Sequence, residues 1–145
     1  MSIKNKKTEL GEAIKFHGHL GPYLVLGLLA GEFALKKLKC KKYFGARVKA
    51  WGATVKPMSC LIDGLQLSTG ATYGKGNIEK LHGQHIEIEV VDCDSGKKIF
   101  LTLRNSLAKS LGTITGHKES EKFAEQLYKT DCDNLFDWRL VHAGS

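Results

Sequence analysis

Apolar positions recur along the chain with periods that change from one segment to the next. Over residues 8–16, Leu10, Ala13 and Ile14 fall on one helical face, and Thr8 is placed to cap it. The segment "HGHLG" breaks this pattern. Pro22 then suits the first turn of a second helix, where its missing N–H costs nothing. That helix is expected to run to about residue 38. Its first half is apolar all round, so it is predicted to be central and buried. Gly27 and Gly31, four apart, would let another backbone pack closely, and the lysines at its end suit the negative pole of the helix dipole.

Downstream, residues 45–55 alternate and read as a strand. Residues 60–68, "CLIDGLQLS", read as a short helix, with Ser59 as N-cap and Gly70 as its stop. "ATYGKGN" is a glycine-rich loop. "HIEIEVVD" sets Ile86, Ile88 and Val90 on one face and Glu87 and Glu89 on the other, the pattern of a half-exposed strand. "CDSG" supplies a turn, and "KKIFLTL" returns as the hairpin partner. A last amphipathic helix is expected over about 118–128, with Phe123 and Leu127 inward. The tail from residue 131 shows no clear period. Helices and hairpin segregate, which predicts an α+β fold: a small mixed sheet packed with helices, in a single domain over 1–145.

Composition limits the function classes. The chain has 145 residues, 42% of them hydrophobic and 26% charged, which suits one soluble globular domain with a real core. The longest apolar run, 23–30, is far short of the about 20 residues a membrane helix needs. The basic N-terminus has no apolar stretch after it, so the sequence predicts no signal peptide, no membrane association and a cytoplasmic location. Four cysteines without a Cys-x-x-Cys pair read as reduced thiols. The formal charge of +7 admits an anion- or nucleic-acid-binding module, but most of it lies in lysine runs that read as a solvated surface. Only three arginines are present, and arginine is the better reader of bases, so nucleic acid is disfavoured.

Three constellations carry candidate chemistry. His17 and His19 lie two apart across Gly18, so in an extended or looped backbone both imidazoles point the same way and can reach one ion. Two loop histidines with hydrogen-bonding roles explain the same spacing. Cys60, at a helix start, is expected to have its thiol pKa lowered by the dipole, with Asp63 one turn on. A small buried apolar residue is the alternative. "STGATYGKGN" fails as a Walker A loop, because three residues rather than four separate Gly70 from Gly74 and Gly76 follows Lys75. It could still offer Lys75 and backbone amides to an anion, or be a structural turn. His82, His85 and His117 read as exposed or capping residues, and no Ser/His/Asp order suggests a triad.

"FHGHLGP", "SCLIDGLQ" and "STGATYGKGN", in that order, resemble the FmdE family, whose members are small components of formylmethanofuran dehydrogenase and their relatives. Its pattern is an F-H-G-H-x-C-P-G block opening a long helix, then C-x-x-D-x-x-Q-x-x-T-G-C-T-x-G-K-G-N. The match is close over residues 12–80. The resemblance implies an α+β domain with a divalent transition metal, commonly zinc, and a homodimer. The metal candidates it implies are His17, His19 and Cys60, with Asp63, Gln66, Thr69, Thr72, Lys75, Gly76 and Asn77 around them. Two departures stand out: Gly21 and Ala71 occupy positions where the family often has cysteine, which argues against a two-cysteine redox role. No cysteine pair with ribbon spacing follows Cys93, so no C-terminal zinc-ribbon extension is expected. Three protein ligands leave an open coordination position, the pattern of a catalytic or ligand-binding ion. The functions implied are an accessory component of a formylmethanofuran dehydrogenase-like complex or a stand-alone relative, and beside them a free-standing metalloenzyme acting on a small anionic substrate. Four cysteines are too few for the iron–sulfur set of the redox-catalytic component.

Overall fold

The computed structural model describes residues 9–142. Among them, five α-helices pack with a five-stranded mixed sheet, the α+β class expected. The elements run α1 (Leu10–His17), α2 (Pro22–Leu38), β1 (Ala46–Trp51), α3 (Cys60–Thr69), β2 (Ile78–Leu81), β3 (Glu87–Asp92), β4 (Lys98–Leu103), α4 (Asn105–Gly112), α5 (His117–Tyr128) and β5 (Phe136–Val141). The sheet order is β2-β1-β3-β4-β5. β1 and β2 are parallel, and every other neighbouring pair is antiparallel.

α2 is the organising element, because its sequence leaves it no polar face over its first half. Pro22 occupies its first turn, and Leu24, Val25, Leu26 and Leu28 are fully buried. It packs on α3, on α5 and on strands β3 and β4. The sheet face toward it carries Val48, Ile88, Val90, Ile99 and Leu101, each at alternate positions along its strand.

The α2–α3 contact is backbone on backbone. A methyl added to Gly27 would overlap the Leu61 carbonyl, and one added to Gly64 would overlap the Leu24 carbonyl. The buried Ser68 hydroxyl lies 3.0 Å from the Gly27 carbonyl and 2.9 Å from that of Gly64, so one side chain ties both helix backbones. Gly31 leaves room for that same Ser68. The close approach expected at Gly27 and Gly31 is therefore present, and α3 is the partner.

Several local expectations need correction. Helix α1 is capped by Glu9 without a side-chain bond, and Thr8 lies outside the described residues. Ser59 does not cap α3, because residues 55–59 already form a turn that feeds the helix. The strand expected over 45–55 stops at Trp51, where Gly52 turns to a positive φ of 77°. Glu89 is buried, not solvent-facing: β3 is an inner strand, and Glu89 lies in register between Lys49 and Phe100, with Lys98 Nζ at 3.9 Å. Three elements go beyond what the sequence pattern predicts: β2, α4 and the edge strand β5.

Candidate metal centre

The site forms where α1 ends and α3 begins. Gly18 adopts φ 106° and closes α1, its N–H bonding the Ile14 carbonyl at 2.7 Å. That left-handed cap turns the chain out of the helix immediately after His17. The His17 side chain is thereby folded inward, with only 9% exposure, against α3. There its Nδ1–H donates to Asp63 Oδ2 at 2.6 Å. A carboxylate only accepts, so this bond fixes the Nδ1–H tautomer of the neutral ring and leaves the Nε2 lone pair free. Nε2 is buried and has no hydrogen-bond partner. An unpaired polar atom in such a place costs about 1–3 kcal/mol, so it asks for a ligand.

His19 stands beside His17, with ring centroids 4.7 Å apart and planes tilted by 40°. It is exposed, yet its pKa lies below the ordinary imidazole value. Partial burial is the main cause, the neighbouring imidazoles of His17 and His117 add to it, and Glu121 opposes it. The neutral, metal-competent form is thus favoured near neutral pH.

Cys60 lies one turn before Asp63 on α3 and is half-buried. Positions i and i+3 of a helix are neighbours, so its sulfur shares a face with the carboxylate that holds His17. The expected lowering of its thiol pKa does not occur. Burial pushes it up, the Asp63 carboxylate adds to this, and Lys56 only partly opposes. The first N–H groups of α3 explain why the dipole does not help: those of Cys60, Leu61 and Ile62 already bond the carbonyls of Pro57, Met58 and Ser59 at 3.0–3.1 Å.

Gln66 extends the chain of contacts. Its Nε2 reaches Asp63 Oδ1 at 3.4 Å, and its Oε1 accepts from the Tyr73 amide at 3.1 Å. The other residues of the second block are placed elsewhere. Thr69 Oγ1 donates to the Leu65 carbonyl and accepts from the Ala71 amide. Thr72 and Asn77 bond across the loop, the Thr72 amide to Asn77 Oδ1 at 3.0 Å, while the Lys75 amide bonds Thr72 Oγ1 at 3.1 Å. Lys75 Nζ lies over the rings of Tyr43 and Phe44, at 5.6 and 5.8 Å from their centroids. Gly76 takes a φ of 75° in the same turn. The structure therefore brings His17, His19, Cys60, Asp63 and Gln66 to one region and gives Thr69, Thr72 and Asn77 to loop architecture.

A cleft of about 370 Å³ opens beside His19, lined among others by Tyr23, Pro57, His117 and Ser120. His117, at the start of α5, meets His19 edge-on, with centroids 6.3 Å apart and planes at 87°. Nothing in the local sequence singles out His117, because its neighbourhood arises only when α5 packs on α2. As they stand, no three His, Cys, Asp or Glu side chains among the described residues are grouped closely enough to hold an ion.

Fold and site together describe an α+β domain with a carboxylate-oriented histidine at its centre. The chain belongs to the FmdE family, "FmdE, Molybdenum formylmethanofuran dehydrogenase operon", which matches residues 16–139. The crystal structure of an FmdE-like protein of tungsten formylmethanofuran dehydrogenase, from Syntrophus aciditrophicus, has the same fold. Its TM-score is 0.63 at 23% identity, over 90% of this chain and 69% of that one. A probable S-adenosyl-L-methionine-binding protein of Archaeoglobus fulgidus is 36% identical over 67 residues. Those residues are 46% of this chain but 18% of that protein, so the chain matches under a fifth of that relative's length. Among the described residues, no helix is long and apolar enough to cross a membrane.

Proposed function

We propose that this FmdE-family chain binds a divalent transition metal, zinc by the character of its donors, through His17 Nε2, His19 and Cys60, with Asp63 orienting His17. The single observation that carries the reading is the buried, unpartnered Nε2 of a histidine whose other nitrogen is already held by a carboxylate. Metal-ligating histidines almost always have this arrangement. Imidazole and thiolate suit zinc among the borderline metals. Ligation requires side-chain movement at His19 or Cys60, both at least partly exposed. When bound, the ion would supply Lewis acidity next to the cleft. We place the protein in the cytoplasm as a homodimer, accessory to a formylmethanofuran dehydrogenase-like complex or acting alone.

Elemental analysis of protein purified without added metal tests this. About one ion per chain is expected. Cys60→Ala and His19→Ala should each lower that content. Undiminished content in both variants would refute the ligand set.

The raised Cys60 thiol gives a second test. A group whose pKa lies above its usual 9.0 is protonated at neutral pH, and it must lose that proton to ligate as thiolate. His19, with its lowered pKa, is already neutral there and releases none. Zinc binding between about pH 7 and 8 should therefore release about one proton, and affinity should rise about tenfold per pH unit. Calorimetry in buffers of different ionisation enthalpy reads the proton count. No release would remove Cys60 from the site.

A second reading, a metalloenzyme acting on a small anionic substrate, is favoured by the cleft beside His19. Its volume falls in the range of small-molecule sites.

A further inference from the structure

The glycine-rich segment 68–77 has no part in the metal reading, yet two of its residues converge on one exposed feature. Tyr43 adopts φ 67°, a left-handed conformation that disfavours a bulky side chain. Asn77, itself buried, holds it there: its Nδ2 donates to the Tyr43 carbonyl at 2.9 Å and to the Ala46 carbonyl at 3.0 Å. Gly70 closes the other side, where a Cβ would lie 2.7 Å from the Tyr43 nitrogen. Gly70 and Asn77 thus fix the backbone that displays Tyr43 and Phe44.

What is displayed contributes nothing to the core. Tyr43 is 56% exposed and Phe44 73%. Lys75 lies over both rings, and Lys42 lies 5.7 Å from the centre of the Tyr43 ring. Next to them, Arg47 and Lys49 line a hollow of about 130 Å³ with Gly76, Asn77 and Glu79. A strained backbone that holds aromatic rings out to solvent beneath ammonium groups has a cost and no structural return. A second copy packed symmetrically on this surface would set Lys42 and Lys75 against their own images, and like charges repel. The fitting ligand has a flat π face and a negative charge.

We propose that the Tyr43–Phe44–Lys75 platform binds a nucleoside phosphate, the base stacking on the aromatic pair and the phosphate meeting Lys75, Lys42 and Arg47. Base–aromatic stacking with nearby cations is sequence-tolerant and is used by proteins that bind single strands. The same chemistry serves a free nucleotide. The platform does not depend on the metal site, so each reading can fail without the other.

Titration of isotope-labelled full chain, followed by amide NMR, tests it with AMP, inorganic phosphate and an oligouridylate of about ten nucleotides. AMP should shift residues 42–44 and 73–76. Phe44→Ala and Phe44→Leu should each weaken AMP about tenfold, at unchanged melting temperature and metal content. Leucine keeps the apolar bulk and loses the flat face, so it separates stacking from mere hydrophobic contact. Lys75→Gln should flatten the salt dependence. Tighter binding of the oligonucleotide than of AMP would assign the ligand to single-stranded nucleic acid, and equal binding to a free nucleotide. An equal response to phosphate alone, no shift with AMP, or AMP affinity unaltered in both Phe44 variants would overturn the proposal.

Discussion

His17→Ala should empty the metal site, and Asp63→Asn should lower metal affinity about 10–100-fold while leaving every ligand in place. The two variants separate a donor from the group that aims it. In the native chain Asp63 accepts from Nδ1 at 2.6 Å and so presents the Nε2 lone pair. Asparagine still offers an oxygen to Nδ1–H, but it lacks the charge that raises imidazole basicity, and its amide can present the wrong end. Competition with a chromophoric chelator gives both affinities. A thermal readout distinguishes lost ligation from lost folding. Zinc at about 100 times its Kd should stabilise the native chain by about 2.7 kcal/mol. That is several degrees of Tm, at about 2–4 °C per kcal/mol for a chain of this size. His17→Ala should show no such rise. Because Asp63 is 35% exposed, losing its partner leaves no sealed charge behind, so the metal-free variant should still fold. A zinc-dependent Tm rise in His17→Ala equal to that of the native chain would place the ion elsewhere.

The parts of this fold that local chemistry decides are readable in the sequence. Helix α2 announces itself by Pro22 and an apolar run with no polar face, and α3 by its stop at Gly70. The β3–β4 hairpin follows from alternation on either side of a Gly-containing turn. The elements that escape such reading are those that bury little. β2 has four residues with Ile78 alone buried, and α4 buries only Leu111. In β5 the alternation of Phe136, Trp138 and Leu140 is present to be read. The edge position leaves the last two each 37% exposed, which blunts the contrast between faces. Glu89 is misassigned by its pattern because period alone reports which residues share a face, not whether the second face is covered.

The site divides along the same line. His17, His19 and Cys60 stand out by residue type and spacing, and the helix starts that position them are legible. Asp63 reads as part of a pocket, whereas it holds His17, a contact across 46 residues of chain that no periodicity encodes. Cys60 shows the limit of reasoning from an isolated helix. Its position predicts an acidified thiol, but the turn before α3 uses the amides that would have acidified it, and the nearest charge is a carboxylate. His117 enters only through tertiary packing.

Gly64→Ala should destabilise the chain by about 1–3 kcal/mol, whereas Gly11→Ala should stabilise it by about 0.5–1 kcal/mol. Both glycines lie within helices, where alanine relieves the entropy that glycine loses on folding. At Gly11 nothing lies within 4 Å of the added methyl, so only that gain operates. At Gly64 the methyl would overlap the Leu24 carbonyl and sit 2.8 Å from the Gly27 Cα and the Leu28 nitrogen. All three are backbone atoms of α2, which cannot swing aside as a side chain does, so the overlap outweighs the propensity gain. Relief comes only from moving α3 off α2, which also stretches the two contacts of Ser68. Chemical denaturation of the two variants should show midpoints shifted in opposite directions with an unchanged m-value. The displacement has a consequence beyond stability. Gly64 is the next residue after Asp63, so moving α3 draws the carboxylate away from His17. In the folded fraction of Gly64→Ala, zinc affinity should therefore fall toward that of Asp63→Asn, although no ligand has been touched. Native zinc affinity in a destabilised Gly64→Ala protein would mean that the orientation of His17 does not depend on the seating of α3 against α2.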